Sequence, residues 1–258
     1  VLVSVLIIPT NTLKKEESKM RIAWCLSGQP RNYEQGLEYT KRNLLDHHDV
    51  DVFFHAWHDP DKVGQKFDSA PWIDDAGSYQ PDVKENLLDI YKPKKHSFEK
   101  PIQFIDESNY ESDFVWSPEH TNIGFSFTYS LLQANELKKK YEQENNFKYD
   151  WVFRARFDWA LNHPINFDEL DSNFIYIPDF EKSFETPNNP HCSDQFAFSS
   201  SKNMDVYTQL FSNIRKHWEN MEIKHMGENL LLHHLLANKM EMKGFDYTHT
   251  FGGNSLLR

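Results

Sequence analysis

The 258-residue chain lacks most of the features that identify a protein at sight. It has two cysteines, which cannot build a disulfide framework. No apolar run approaches the roughly 18 residues needed for a membrane-spanning helix. Four motifs are absent: the GxxxxGK[ST] phosphate loop, a GxGxxG after the first strand, the GxSxG elbow and HExxH. Their absence removes P-loop kinases, Rossmann dehydrogenases, ordinary α/β-hydrolases and zincin proteases. Positive charge is scarce, with 28 Lys and Arg against 39 Asp and Glu and a formal charge of -11. Whole-surface attraction to nucleic acid or to anionic lipid needs a cationic field. Neither partner is expected, although net charge says little about a single cleft.

Aromatic residues are plentiful, at 15% of the chain, while mean hydropathy is -0.72. That combination excludes an intrinsically disordered chain and fits a ring-rich core under long polar side chains. Cys25 lies in an apolar run and reads as a buried free thiol. Cys192, in the loop HCSD, has neither a CxxC partner nor zinc spacing. A reducing, cytoplasmic setting is expected, with a peripheral membrane association left open.

The first 19 residues stand apart. VLVSVLII (residues 1–8) is too short to span a bilayer and has no basic region before it. Non-native or upstream sequence, an edge strand and the stump of an anchor all fit; the charged stretch before Met20 favours the first. From Met20 onward, strand and helix alternate. Strands are expected at 21–27, 49–59, 97–104, 149–161, 173–178 and 194–199. Helices are expected at 33–47, 82–91, 202–218 and 227–239. A longer helix carries Phe127, Leu131, Ala134, Leu137 and Tyr141 at helical spacing. Residues 60–80 and 181–193 read as loops. The pattern predicts an α/β fold: one domain over 20–258, with a mostly parallel sheet flanked by helices.

Four places carry candidate chemistry. Ser27-Gly28-Gln29-Pro30-Arg31 follows the first strand, where open α/β sheets bind ligands; a plain Gly-Pro turn with a surface arginine competes. In Arg154-Ala155-Arg156-Phe157-Asp158, alternation puts both arginines and the acid on one strand face, opposite Trp151, Phe153 and Phe157. Buried charges of this kind are costly unless paired or met by a ligand. Asp158 could therefore hold a divalent metal or sugar hydroxyls, or form an internal ion pair with Arg156 or Arg154. Asp194 and Gln195 open a strand after a Pro/Asn-rich loop and could hydrogen-bond a sugar. Glu228 begins the last helix on the face of Leu231, Leu232 and Leu235; it suits a general base or simple dipole complementarity. The histidines do not converge on a metal: His55 and His58 oppose each other in a strand, and His233 and His234 diverge on a helix. The DVD at 49–51 lies at the wrong end of its strand for a phosphate site.

The blocks RIAWCLSGQPRNYEQG, DVDVFFHAWHD, ANELKKKYEQENNFKYDWVFRARFDW, DQFAFSSSKNMDVY and GENLLLHHL together resemble a family of glycosyltransferases. Its members occur in bacterial capsule and lipopolysaccharide clusters and in some large viruses and phages. The resemblance covers most of the chain from Met20 to about Asn238. It implies a GT-A-like, nucleotide-diphospho-sugar transferase fold, with the donor's diphosphate near the strand carboxyl ends. It further implies that Ser27, Gly28, Gln29, Arg31, Arg156 and Asp158 bind a nucleotide-sugar donor. Asp158 falls where a metal-binding DxD is usual, but only one acid is present, so Mn²⁺ or Mg²⁺ dependence stays open. A saccharide would be the acceptor, with Gln195 and Trp57 as contacts and Glu228 or Asp194 as the base. A non-catalytic sugar-binding domain and a nucleotidyltransferase are the rival expectations.

Overall fold

A computed structural model describes residues 20–67, 77–178, 190–221 and 224–245. The segment 1–19 lies outside them, as does most of the loop expected at 181–193. Seven strands form one sheet: β1 (Ile22–Gly28), β2 (Val50–Trp57), β3 (Lys95–Glu99), β4 (Trp151–Ala155), β5 (Ile175–Pro178), β6 (Phe196–Ser199) and β7 (Met242–Phe245). Their order is β3-β2-β1-β4-β6-β5-β7. β1 pairs in parallel with both β2 and β4, β2 with β3, and β5 with β7. β6 alone among the described strands runs against its neighbours. The central strands are buried on both faces, as parallel strands between helix layers must be.

Helices cover both faces. α1 (Tyr33–Thr40), its five-residue π-helical continuation Lys41–Leu45, and α2 (Val83–Tyr91) pack on one side. There Tyr33, Leu44, Leu87 and Tyr91 join Trp24, Phe54, Phe153 and Phe157 in one core. The other face carries α3 (Pro118–Asn145), α4 (Ser201–Thr208), α5 (Leu210–Trp218) and α6 (Glu228–Ala237) over Ala23, Phe53, Val152 and Ala197. None of the described helices is long and apolar enough to cross a membrane.

Several expected boundaries move. The helix expected at 202–218 breaks at Gln209 into α4 and α5. The strand expected at 149–161 ends at Ala155, and the chain then leaves the sheet. β7 was not expected; MKGF has too little apolar character to announce a strand.

α3 is the longest element, at 28 residues or roughly 42 Å. Ser117 caps its N-terminus, Pro118 takes the first turn, and Asn146 closes it in the left-handed conformation. Three-quarters of the way along, Lys138 is fully buried. Its ammonium donates to Ser201 Oγ at 2.7 Å and Asp205 Oδ1 at 2.8 Å, and lies 3.5 Å from Glu142 Oε2. Glu142 also accepts from Ser201 Oγ, Lys148 Nζ and the Tyr149 N–H. The network ties α3 to α4 and to the chain leading into β4.

Removing one member of a buried ion network strands the others, at a cost of about 3–5 kcal/mol. Lys138→Met should lower the unfolding free energy by about that amount. Lys148→Met, at a side chain 61% exposed, should cost under about 1 kcal/mol. Urea unfolding of both variants checks the difference, and equal losses would refute the assignment.

Candidate functional site

The chain runs β1-β2-β3 outward on one side of β1, then returns through α3 to place β4 on the other side. The switch point therefore lies between β1 and β4, where open α/β sheets hold their ligands beyond the strand carboxyl ends. Leu26 is the last β1 residue paired with β4, opposite Ala155, and Ser27 and Gly28 continue along β2 past that point, opposite His55 and Ala56. Because β6 is antiparallel to β4, it starts where β4 stops: Phe196 pairs with Ala155. Asp194 and Gln195 thus arrive at the same edge. Glu228 is carried there by the loop before β6, which docks on α6. The Cys192 N–H donates to the Glu228 carbonyl at 3.4 Å, and Asn229 Nδ2 donates to the Pro190 carbonyl at 2.9 Å.

The β1 turn is pinned from α3. Gly28 has φ 106°, a conformation open to glycine and strained for other residues. Its N–H donates to Ser130 Oγ at 2.8 Å, and Ser130 Oγ lies 2.7 Å from His55 Nδ1. Burial lowers the His55 pKa to about 4, so the ring is neutral, and Ser130 can donate to Nδ1 while it accepts from Gly28. The Gly28 N–H is consequently committed and does not cradle a phosphate. Ser27 is buried, and its hydroxyl has no partner among the described residues. Arg31 donates to Gln29 Oε1 and stacks 5.6 Å from the Phe67 ring centre. A pocket of about 430 Å³ opens beside it, lined by Arg31, Tyr33, Gln35, Phe67, Gln80 and Asn86 among others. That volume falls in the usual range for small-molecule sites.

The β4 end is built around one bidentate pair. Arg156 Nε donates to Asp158 Oδ1 at 2.8 Å, and Nη2 donates to Oδ2 at 2.6 Å. Asp158 is buried, whereas a quarter of the Arg156 side chain is exposed. Of the two expectations for Asp158, the internal ion pair with Arg156 is the one formed. Both carboxylate oxygens face a guanidinium, so this single acid does not suit a divalent cation. Among the described residues no cluster of three or more His, Cys, Asp or Glu could hold a metal ion. Asp158 orients Arg156, whose Nη1 makes no intrachain hydrogen bond among the described residues. α1 lies directly on this turn: a Cβ at Gly36 would come 2.1 Å from the Phe157 carbonyl oxygen, so only glycine permits the contact.

Asp194 is the hub of the remaining charge. It acts electrostatically on Arg156, Arg154 and Glu228. Burial, and then repulsion from Asp194, push the Glu228 carboxyl up to about 7. Arg156 thus interacts with both Asp158 and Asp194, and Asp194 with Glu228, while Gln195 is half-buried next to Asp194 in the chain. Trp57 is a correction. It is 3% exposed, stacks on Tyr129 at 5.6 Å and packs at right angles to His55, so it offers no free ring face to a sugar. Sequence reasoning missed Ser130 and His55 as supports and gave no signal for Tyr207, a buried tyrosine on α4 near this cluster. Comparison with protein-family models gives no match, and a search of curated proteins finds no similar sequence.

The raised carboxyl makes a stability prediction. The unfolded chain ionises Glu228 at its ordinary value near 4.5, and the folded chain only near 7. Stability is lost as pH climbs through that window and stays lost above it. Glu228→Gln should melt roughly 2–5 °C above the parent at pH 8, with the gap more than halved at pH 5. A constant gap across pH would show that Glu228 titrates normally.

Proposed function

We propose that this protein is a glycosyltransferase of GT-A-like architecture, moving a sugar from a nucleotide-diphosphate donor to a saccharide acceptor. One observation carries the reading: an arginine held by Asp158 and two mutually repelling carboxylates, Asp194 and Glu228, lie at the switch point of a mostly parallel sheet. Sugar transfer needs both. When the bond from the sugar's anomeric carbon to the diphosphate breaks, its electron pair goes to the diphosphate oxygen. Arg156, oriented by Asp158, and Arg31, beside the pocket, are suited to bind that growing charge. The acceptor hydroxyl must lose a proton as its oxygen bonds to the anomeric carbon. Glu228 suits that task because a base titrating near 7 is half ionised at working pH. Asp194 keeps it there by repulsion. A carboxylate in this role fits a single displacement with inversion.

The pocket beside Arg31 has room for the nucleoside, with the exposed side chains of Gln35, Gln80 and Asn86 offering polar groups. Gln195 is retained as a sugar contact, and Trp57 is not. No step is assigned to a metal ion, since Asp158 is already spent on Arg156.

A panel of nucleotide sugars assayed for transfer and for slow hydrolysis tests the reading. Glu228→Gln should lower kcat by about 10²–10⁴-fold and leave donor Kd within about twofold. The parent's kcat should fall as pH drops below about 7, because the base must be ionised. Nucleotide-sugar binding without any turnover would instead indicate a non-catalytic binding domain. Release of pyrophosphate from a nucleoside triphosphate would indicate a nucleotidyltransferase.

A further inference from the structure

Arg154 and Arg156 stand two residues apart at the end of β4 and use their guanidinium groups differently. Arg156 commits Nε and Nη2, the two donors along one edge of its plane, to both oxygens of Asp158. On Arg154 the same two donors have no hydrogen-bond partner among the described residues, although the side chain is 1% exposed. The rest of the group is fixed. Nη1 donates to the Asp194 carbonyl, and the guanidinium carbon lies 4.6 Å from the centre of the Phe127 ring. The result is a guanidinium held in place with its bidentate edge unused.

A second buried donor belongs to the same neighbourhood. The Tyr207 hydroxyl, fully buried on α4, has no partner among the described residues. Tyr207 interacts electrostatically with Arg154, and also with Asp194 and Glu228. A guanidinium keeps its charge in a protein, so burying one without a bonded carboxylate is unfavourable. Core packing alone would be met better by an apolar side chain. Phe127 and Asp194, which hold the rest of the group, are themselves only half-buried.

We propose that Arg154 and Tyr207 form an oxyanion subsite beneath the Asp194–Glu228 pair, taking two oxygens of a ligand carboxylate or phosphate on the Arg154 Nε–Nη2 edge. The Tyr207 hydroxyl supplies a third donor. The planar fork matches both groups in spacing. The proposal rests on the reading of this edge as the ligand cleft and narrows what enters it: a sugar bearing an acidic group, or a phosphate of the donor.

Isothermal titration of the full chain with pyrophosphate, glucuronate and neutral glucose separates the sources. The parent should bind at least one of the two anions and show no heat with glucose. Arg154→Lys keeps the charge but loses the fork, and Tyr207→Phe loses one donor; each should weaken anion binding by about tenfold or more. Circular dichroism confirms that both variants are folded. Selective loss of pyrophosphate binding assigns the subsite to donor phosphate, and selective loss of glucuronate binding assigns it to an acidic sugar. Failure of both anions to bind, or unchanged affinity in both variants, overturns the proposal. Anion binding that needs Arg154, in a protein that turns over no nucleotide sugar, would keep the subsite and remove the transferase reading.

Discussion

A single buried charge sets the register of this fold. Lys138 has no access to water, so α3 is stable only where Ser201, Asp205 and Glu142 surround its ammonium. The network sits beneath β1: the Cys25 thiol, pushed up to about 12 by burial, feels Lys138, Glu142 and Asp205. From that anchor the helix works as a ruler. Ser130 is eight residues back, roughly 12 Å along the axis, and Phe127 is roughly 16 Å back. Ser130 holds the Gly28 turn, Tyr129 stacks on Trp57, and Phe127 lies against Arg154. A slip of one turn, about 5.4 Å, would release all three contacts together.

The site inherits its precision from this arrangement. Its charges come from separate elements: Arg31 after β1, Arg156 and Asp158 after β4, Asp194 before β6 and Glu228 at the start of α6. Sheet topology brings the first four to one edge, because β6 reverses and begins where β4 ends, and the loop before β6 docks on α6 to bring Glu228. Opposite charges there are not simply cancelled. Arg156 is compensated by Asp158, whereas Arg154 keeps an open edge and Glu228 keeps an adjacent acid. A chain selected only for stability would avoid the last two features. Their presence beyond the carboxyl ends of the parallel strands is the physical reason to read them as functional.

Much of this was legible in the sequence, and the misreadings have local causes. Short apolar runs between amphipathic stretches located six of the strands and the parallel character of the sheet. Alternation also marked Arg154, Arg156 and Asp158 as a group on one face. It could not show that β4 stops at Ala155, after which the pleat no longer applies and Asp158 turns back onto Arg156. Trp57 enters as a sugar contact only through the resemblance; the residue that covers it, Tyr129, comes from 72 positions later in the chain. Tyr207 sits in DVYTQLFSN, where nothing distinguishes a packed ring from one beside a guanidinium. Pairing partners distant in sequence decide each of these cases, and a local pattern does not contain them.

The central claim is that the edge shared by β1, β4 and β6 binds a nucleoside diphosphate through Arg31 and Arg156. Arginine side-chain NMR during titration with a nucleoside diphosphate tests it most directly. The account predicts that the Nε resonances of Arg31 and Arg156 shift in a saturable way, while those of Arg21 and Arg42, at or beyond the opposite end of the strands, stay in place. Saturable binding that leaves Arg31 and Arg156 unmoved would contradict it.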